Sequence, residues 1–265
     1  MTETTNLHTI DLALCRSGFY EALALGFRPP TAETFERLLS EVQNRALAEM
    51  VGMLENMTSD SRPIGWSKAV LRLRSCTDAQ NLDSLECSYR FYFGHTARPK
   101  VPPYETEYGT ETLFQQPQQL SDISGFFAAF GLTLNGQEKE RVDHISCECE
   151  FLAFVTRKEA YAIEVHDEDM LQQTRQAQKL FLQDHLGRFV PAFTHLLMKE
   201  NPGSFYALLA ELARKFIFQE CAQFGVPAGP ENLRLRPETM ENACFTCGSG
   251  EEVIQDLCHV DEDAD

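Results

Sequence analysis

The stretch RVDHISCECEFLAF, Arg141 to Phe154, decides the fold. Placed at 100° per residue, Ile145, Cys149 and Leu152 share one face with Val155 close by, which is the stripe of an amphipathic helix turned to a core. His144, Glu148 and Phe151 lie on a neighbouring face, and Asp143, Cys147, Glu150 and Phe154 on another. Asp143 stands at the helix start, where a carboxylate is favoured by free N–H groups and the macrodipole, so one reading makes it an N-cap. On the same reading His144 is a packing residue, and Glu148 and Glu150 form a solvated face. Acid, base and thiol together also raise a catalytic, metal-binding or partner-binding reading.

Outward from this helix the same period dominates. Residues 8–26 carry Ile10, Leu14, Phe19, Leu23 and Leu25 at helical spacing, and GFRPP ends the segment. Thr31 is an N-cap candidate for a second helix reaching to about Asn56. Shorter helices are expected near 66–76 and 78–93, the second opened by Asp78. After Gly94, HTARPKVPPYETEYGTETLFQQP has four prolines and no period, and reads as a long ordered loop. Its aromatics, Tyr104, Tyr108 and Phe114, favour order. Helices are expected again near 118–132, 143–164, 168–184, 186–199 and 203–224, the last with Phe205, Leu208, Leu209, Leu212 and Phe216 as one stripe. No strand alternation exceeds four residues and no long repeat is found. The expected fold is all-α: a single helical bundle over residues 1–225, then a flexible tail over 226–265, proline-rich before it turns acidic, with three cysteines.

Composition bounds the function. A chain of 265 residues with 43% hydrophobic residues and 19 Phe buries a sizeable core, which excludes wholesale disorder. The N-terminus lacks a basic segment followed by an apolar run, and no window approaches 18 apolar residues, so neither an export signal nor membrane insertion is expected. Nine cysteines without an export signal point to thiols in a reducing compartment, and the expected location is the cytoplasm. With 23 Lys+Arg against 40 Asp+Glu, the net charge of −17 repels nucleic acid and anionic lipid and favours a cationic partner.

Catalytic signatures are missing. The residues three before each histidine are Thr5, Tyr92, Arg141, Ile163, Leu182, Ala192 and Asp256, so the Glu-x-x-His of a di-metal bundle is absent. There is no G-x-S-x-G, H-E-x-x-H, Walker loop or G-x-G-x-x-G, and nothing supplies a nucleophile for His144 or His185 acting as base. An enzyme is not expected, and no cofactor is required. Cys244-x-x-Cys247 followed by Cys258-His259 is the metal candidate, since two thiolates and two further ligands close a zinc tetrahedron. A small metal-binding or metal-delivery protein built on these residues is the alternative function. Adjacent Cys258 and His259 fit that site poorly, and uncommitted cysteines or a redox pair stay open.

The spacing Asp-His-Ile-x-x-Glu-x-Glu-Phe in DHISCECEF resembles the signature of the TorD/DmsD/NarJ family of molybdoenzyme chaperones. FLQDHLGRFVPAF, residues 181–193, is similar to that family's second motif, and PPYETEYG, 102–109, falls in its Tyr-containing loop. The order matches over roughly residues 8–225. Val142 precedes the Asp-His pair where the family commonly has proline, and Phe189 stands where tryptophan is common. The resemblance implies a cytoplasmic, non-enzymatic all-α bundle of the TorD-like type. Such a protein binds the apo catalytic subunit of a molybdopterin oxidoreductase, often at its twin-arginine leader peptide, and assists cofactor insertion before export. The YETEYG version resembles branches serving nitrate reductase-like or ethylbenzene and dimethyl sulfide dehydrogenase-like enzymes.

On that reading the family's Asp-His pair maps to Asp143 and His144. Guanidinium groups match carboxylates bidentately, so Asp143, Glu148, Glu105 and Glu107 are expected as acceptors. Tyr104, Tyr108, Phe151 and Phe189 are expected as apolar walls, with His185 beside them. Replacing both Asp143 and His144 by alanine is expected to weaken client capture and leave the fold intact.

Overall fold

The computed structural model describes residues 3–57, 65–94, 99–109, 115–134 and 140–237. The described residues form ten α-helices and one 3-10 turn: α1 Glu3–Phe27, α2 Ala32–Leu39, α3 Glu41–Met57, α4 Trp66–Asp78, α5 Leu82–Phe93, the turn Glu105–Glu107, α6 Gln115–Ala129, α7 Ile145–Glu164, α8 Glu168–Asp184, α9 Leu186–Glu200 and α10 Phe205–Phe224. Among them none is long and apolar enough to cross a membrane. The all-α expectation and the run of helices from 143 to 224 hold.

Two boundaries differ, each for a local reason. The single helix expected from Thr31 to Asn56 breaks at Ser40, whose ψ of 123° leaves the helical region. Thr31 caps only the first piece, through a reciprocal pair of bonds with Thr34. Asp78 does not open α5; it ends α4, and Asn81 caps α5 by accepting from the Ser84 N–H at 2.8 Å.

The longest helices make the frame. α1 lies along α7, α7 along α8, α8 against α9 and α9 against α10, while α3 and α4 close the other side. The packing is strongly aromatic. Phe19, Trp66, Tyr20 and Phe216 meet with centroids 4.4 to 6.1 Å apart, and Phe126, Phe127, Phe151 and Phe181 form a second cluster under the start of α7. Such pairs stabilise beyond their area by about 0.5–1.5 kcal/mol each.

A charged group sits inside this frame. Arg16 of α1 is 1% exposed and donates to Glu220 at 2.7 and 2.8 Å, to Glu159 at 2.9 Å and to Gln178 at 2.6 Å. One guanidinium therefore ties α1 to α7, α8 and α10. Its five donors suit it to a fork of acceptors that no lysine satisfies.

Of the loop expected to be ordered after Gly94, residues 95–98 and 110–114 lie outside the described residues. Residues 101–109 run as a strap across the bundle, beginning with the Val101 N–H bonded to Tyr92 O at 3.1 Å. The composition shift at Val226 does not end the packed body, because 226–237 returns to it. Val226 is buried, the Gly229 N–H donates to Gly187 O at 2.9 Å, and Glu231 pairs with Arg214.

Candidate functional site

The strap is held on both edges by backbone. On one side the Glu105 N–H donates to Asp143 O and the Ile145 N–H to Pro103 O, each at 2.9 Å, around a bridge between Tyr104 and His144. On the other, the Gly109 N–H donates to Arg234 O at 2.9 Å and the Arg236 N–H to Glu107 O at 2.8 Å, around a bridge between Tyr108 and Leu235. Sequence segments 102–109, 141–154 and 181–193 thus meet at one place.

Their polar side chains turn inward. Asp143 is fully buried and accepts from the Thr106 N–H at 3.2 Å, the Thr106 hydroxyl at 2.8 Å, and Arg141 at 2.7 and 2.9 Å. Glu105, also fully buried, accepts from Arg188 at 2.6 and 3.2 Å and from His185 Nδ1 at 3.0 Å. Burial alone would raise the Glu105 pKa; the His185 and Arg188 donors outweigh it and hold the group below the ordinary carboxylate value. His185 and Arg188 are three apart on the entry to α9, so a single turn presents both to one carboxylate.

Glu148 behaves in the opposite way. Burial, then the charges of Glu105 and Asp143, push its pKa well above the ordinary value. Burial therefore favours its protonated form beneath the strap. His144 is likewise fully buried, and burial, then Arg141, lower its pKa to about 3. Its Nδ1 accepts from the Ser146 N–H at 3.2 Å, so His144 is the N-cap of α7.

These positions correct several expectations. Asp143 is not the helix cap; it precedes the cap and pins Thr106. Glu148 is not on a solvated face, and neither Glu148 nor Glu105 is an open acceptor for a guanidinium. Tyr108 and Phe189 are fully buried and cannot wall an open groove; the Tyr108 hydroxyl donates to Pro102 O at 2.9 Å. His185 is buried too, its Nε2 3.2 Å from Asp122 Oδ2 without hydrogen-bond geometry. The double alanine change at Asp143 and His144 is therefore expected to destabilise the fold rather than leave it untouched. For Asp143 and Glu105 the reason is shared: Thr106, Arg141, His185 and Arg188 already supply their hydrogen bonds beneath the strap.

Tyr104 keeps an outer position. It is partly exposed, its hydroxyl donates to Glu140 at 3.0 Å, and the Arg141 guanidinium sits 4.6 Å over its ring. Beside Glu140 a pocket of about 330 Å³ opens between the end of α6 and the first turns of α7. Phe127, Leu132, Leu134, Phe151 and Phe154 line it, with Glu140, Glu150 and Arg28 as its charged members. Phe151, itself 1% exposed, stands at the back of this lining. Glu150, not Glu148, faces outward and pairs with Arg28.

The sequence reading missed Thr106, Glu140, Arg141, Arg188 and Arg236. Arg188 was within reach, as the cation three residues after His185; nothing in the sequence marks Arg236 as buried. The thiols Cys147 and Cys149 are buried, and burial raises the first to about 12 and the second well above its ordinary value, which leaves no thiolate nucleophile there. Cys244, Cys247, Cys258 and His259 lie outside the described residues. Among the described residues no group of three or more His, Cys, Asp or Glu is placed to hold a metal ion.

The family model described as nitrate reductase delta subunit matches residues 59–195, just over half the chain, and spans the strap and both helical motifs. The perchlorate reductase assembly chaperone protein of Dechloromonas aromatica is 26% identical over 214 residues, covering 78% of this chain and 89% of its own. The chaperone protein TorD of Vibrio cholerae is 27% identical over 155 residues, covering 58% of this chain and 67% of its own. That of Vibrio atlanticus is 27% identical over 169, covering 63% and 75%.

Proposed function

This chain belongs to the nitrate reductase delta subunit family, the TorD/DmsD/NarJ chaperones of molybdenum enzymes, and on that premise we propose how it meets its client. The family's members are non-catalytic, and the chain is a maturation chaperone for a molybdenum-cofactor enzyme rather than an enzyme. The finer reading is that it works in the cytoplasm on the apo catalytic subunit of a molybdopterin oxidoreductase, of the nitrate reductase-like or dehydrogenase-like kind. It grips the arginine-bearing leader and releases the subunit once cofactor is in place.

One observation carries this: the pocket beside Glu140 joins an apolar lining to carboxylates at the surface of an otherwise locked network. A twin-arginine leader offers the complement, guanidinium groups followed by an apolar run. Burying about 300 Å² of leader apolar surface contributes roughly 7 kcal/mol gross, before ordering costs. Exposed ion pairs add only about 0.2–1 kcal/mol each. The apolar lining therefore sets affinity, while Glu140 and Glu150 set register and encounter rate.

Calorimetry with a client leader peptide tests it. Leu134, 39% exposed at the pocket, is the affinity probe. Leu134→Ser is expected to weaken binding about tenfold, the loss of roughly 1.4 kcal/mol. Glu140→Gln is expected to weaken it less and to reduce its salt dependence. Affinity unchanged in both variants would remove the pocket from the site. A metal-delivery role at the tail cysteines would instead show as near-stoichiometric zinc that is lost on Cys244→Ser.

A further inference from the structure

A second cavity opens on α1 and shares no lining residue with the pocket beside Glu140. It encloses about 290 Å³ among α1, α2, α3, α4 and α10. Buried Leu23, Leu73, Leu209 and Leu212 and half-buried Leu47 and Met50 make its lining apolar. The break at Ser40 shapes it. Leu38 before the break and Asn44 after it both line the cavity, and Asn44 Nδ2 donates to Leu38 O at 3.3 Å. Gly18 makes room for the Met50 thioether, since an added Cβ would come 2.5 Å from Met50 Sδ. Three charged side chains belong to this cavity: Glu21, Arg37 and Arg74. Glu21 is paired with Arg157. Arg37 and Arg74 are exposed and have no acidic partner among the described residues, in a chain with 40 Asp+Glu against 23 Lys+Arg.

We propose that this cavity binds one free, single-chain amphiphile: an unbranched alkyl chain inside the apolar lining and a carboxylate head at Arg37 and Arg74. Volume sets the size of the guest. An apolar cavity of about 150 Å³ takes one benzene, so 290 Å³ takes a body about twice as large, a chain of roughly ten to twelve carbons. A helical segment does not fit. Two turns of helix, roughly 10 Å across and 11 Å long, exceed the space about threefold. Charge sets the head. Guanidinium forks match carboxylates, and two of them without acids beside an apolar cavity are the complement of an anionic tip on an apolar body. The lining therefore supplies affinity, and the exposed cations choose between heads. Occupied, the cavity ties the corner between α2 and α3 to α1, α4 and α10. The site stands apart from the leader reading and does not depend on it.

The test is calorimetry on the full chain with octanoate, decanoate, hexadecanoate and uncharged decanol, each below its micellar concentration. Decanoate is expected to bind one per chain, and octanoate, two methylenes shorter, about tenfold more weakly. Hexadecanoate should bind no more tightly than decanoate, because the cavity ends. Decanol should bind about fivefold more weakly than decanoate, and Arg37→Gln with Arg74→Gln should bring decanoate down to decanol while leaving decanol unchanged. Both arginines are exposed, so that variant keeps the fold. Ala22→Phe, which fills the cavity from α1, should abolish binding of both probes. No binding of decanoate overturns the site. Affinity that keeps rising through hexadecanoate means adsorption to an open surface and overturns it too. Equal affinity for decanoate and decanol, or a double arginine variant that still prefers decanoate, refutes the head site. Binding that survives in a folded Ala22→Phe places the ligand elsewhere and refutes the cavity; should that variant not fold, the chain-length series and the arginine variant decide.

Discussion

Replacing Asp143 by alanine separates two roles for the best-marked acid in the sequence. As a surface ligand it would be lost at no cost to the fold; as the pin of the strap it would not. The structure sets the magnitude. Arg141 has a 44% exposed side chain, so losing its two bonds returns a guanidinium to water and costs at most about 1 kcal/mol. Thr106 is fully buried, and its N–H and hydroxyl lose their acceptor in a place water does not reach. Each stranded group costs about 1–3 kcal/mol. Together the change should destabilise by roughly 3–5 kcal/mol, or lower the melting temperature by about 6–20 °C in a chain of this size. Asp143→Asn keeps an acceptor for Thr106 and should recover about half. Urea unfolding followed by circular dichroism measures it, with Thr106→Val as the second arm of a double-mutant cycle. Asp143→Ala within about 0.5 kcal/mol of the wild type, with leader affinity reduced, would refute the pin and restore the exposed ligand.

Further outcomes follow from the other buried charges. His144, with its pKa lowered to about 3, is bare in the folded state and protonates on unfolding below about pH 6.5. Its contribution is therefore complete above that pH and is lost as pH falls toward 3, at about 1.4 kcal/mol per unit; His144→Asn, which can still cap α7, should flatten the acid side of the stability curve. Glu148 has the opposite sign: its raised pKa makes stability complete below the ordinary carboxylate value and lost as pH rises above it. Glu148→Gln should accordingly gain stability over the wild type at pH 8 and not at pH 4, and a constant difference between the two would contradict a neutral Glu148. Arg16→Met should cost about 3–5 kcal/mol in urea unfolding, because Glu220 stays buried without its cation and Glu159 keeps only Arg175. Adding Glu159→Gln and Glu220→Gln should return much of that loss. In thiol titration of the native protein, exposed Cys87 should react well before buried Cys147, Cys149 and Cys221.

The sequence alone determined the helices, the ordered strap and the place where the site assembles. Those features depend on residues within about four positions of one another: apolar period, Thr31 and Thr34 at a helix start, prolines and tyrosines between Gly94 and Gly109. Where local signals competed, as at Ser40 or between Asp78 and Asn81, side-chain bonds to the nearest backbone decided the boundary. Which polar residues would be buried was beyond that reach. Asp143 meets Thr106 across 37 residues, Glu105 meets His185 across 80, and Arg16 meets Glu220 across 204. An acid shows the same letter in the sequence whether it faces water or another chain segment. Only the tertiary structure supplies the surroundings, and they decide whether a carboxylate is an open ligand, is held low in pKa by cations as Glu105 is, or is pushed up by burial as Glu148 is.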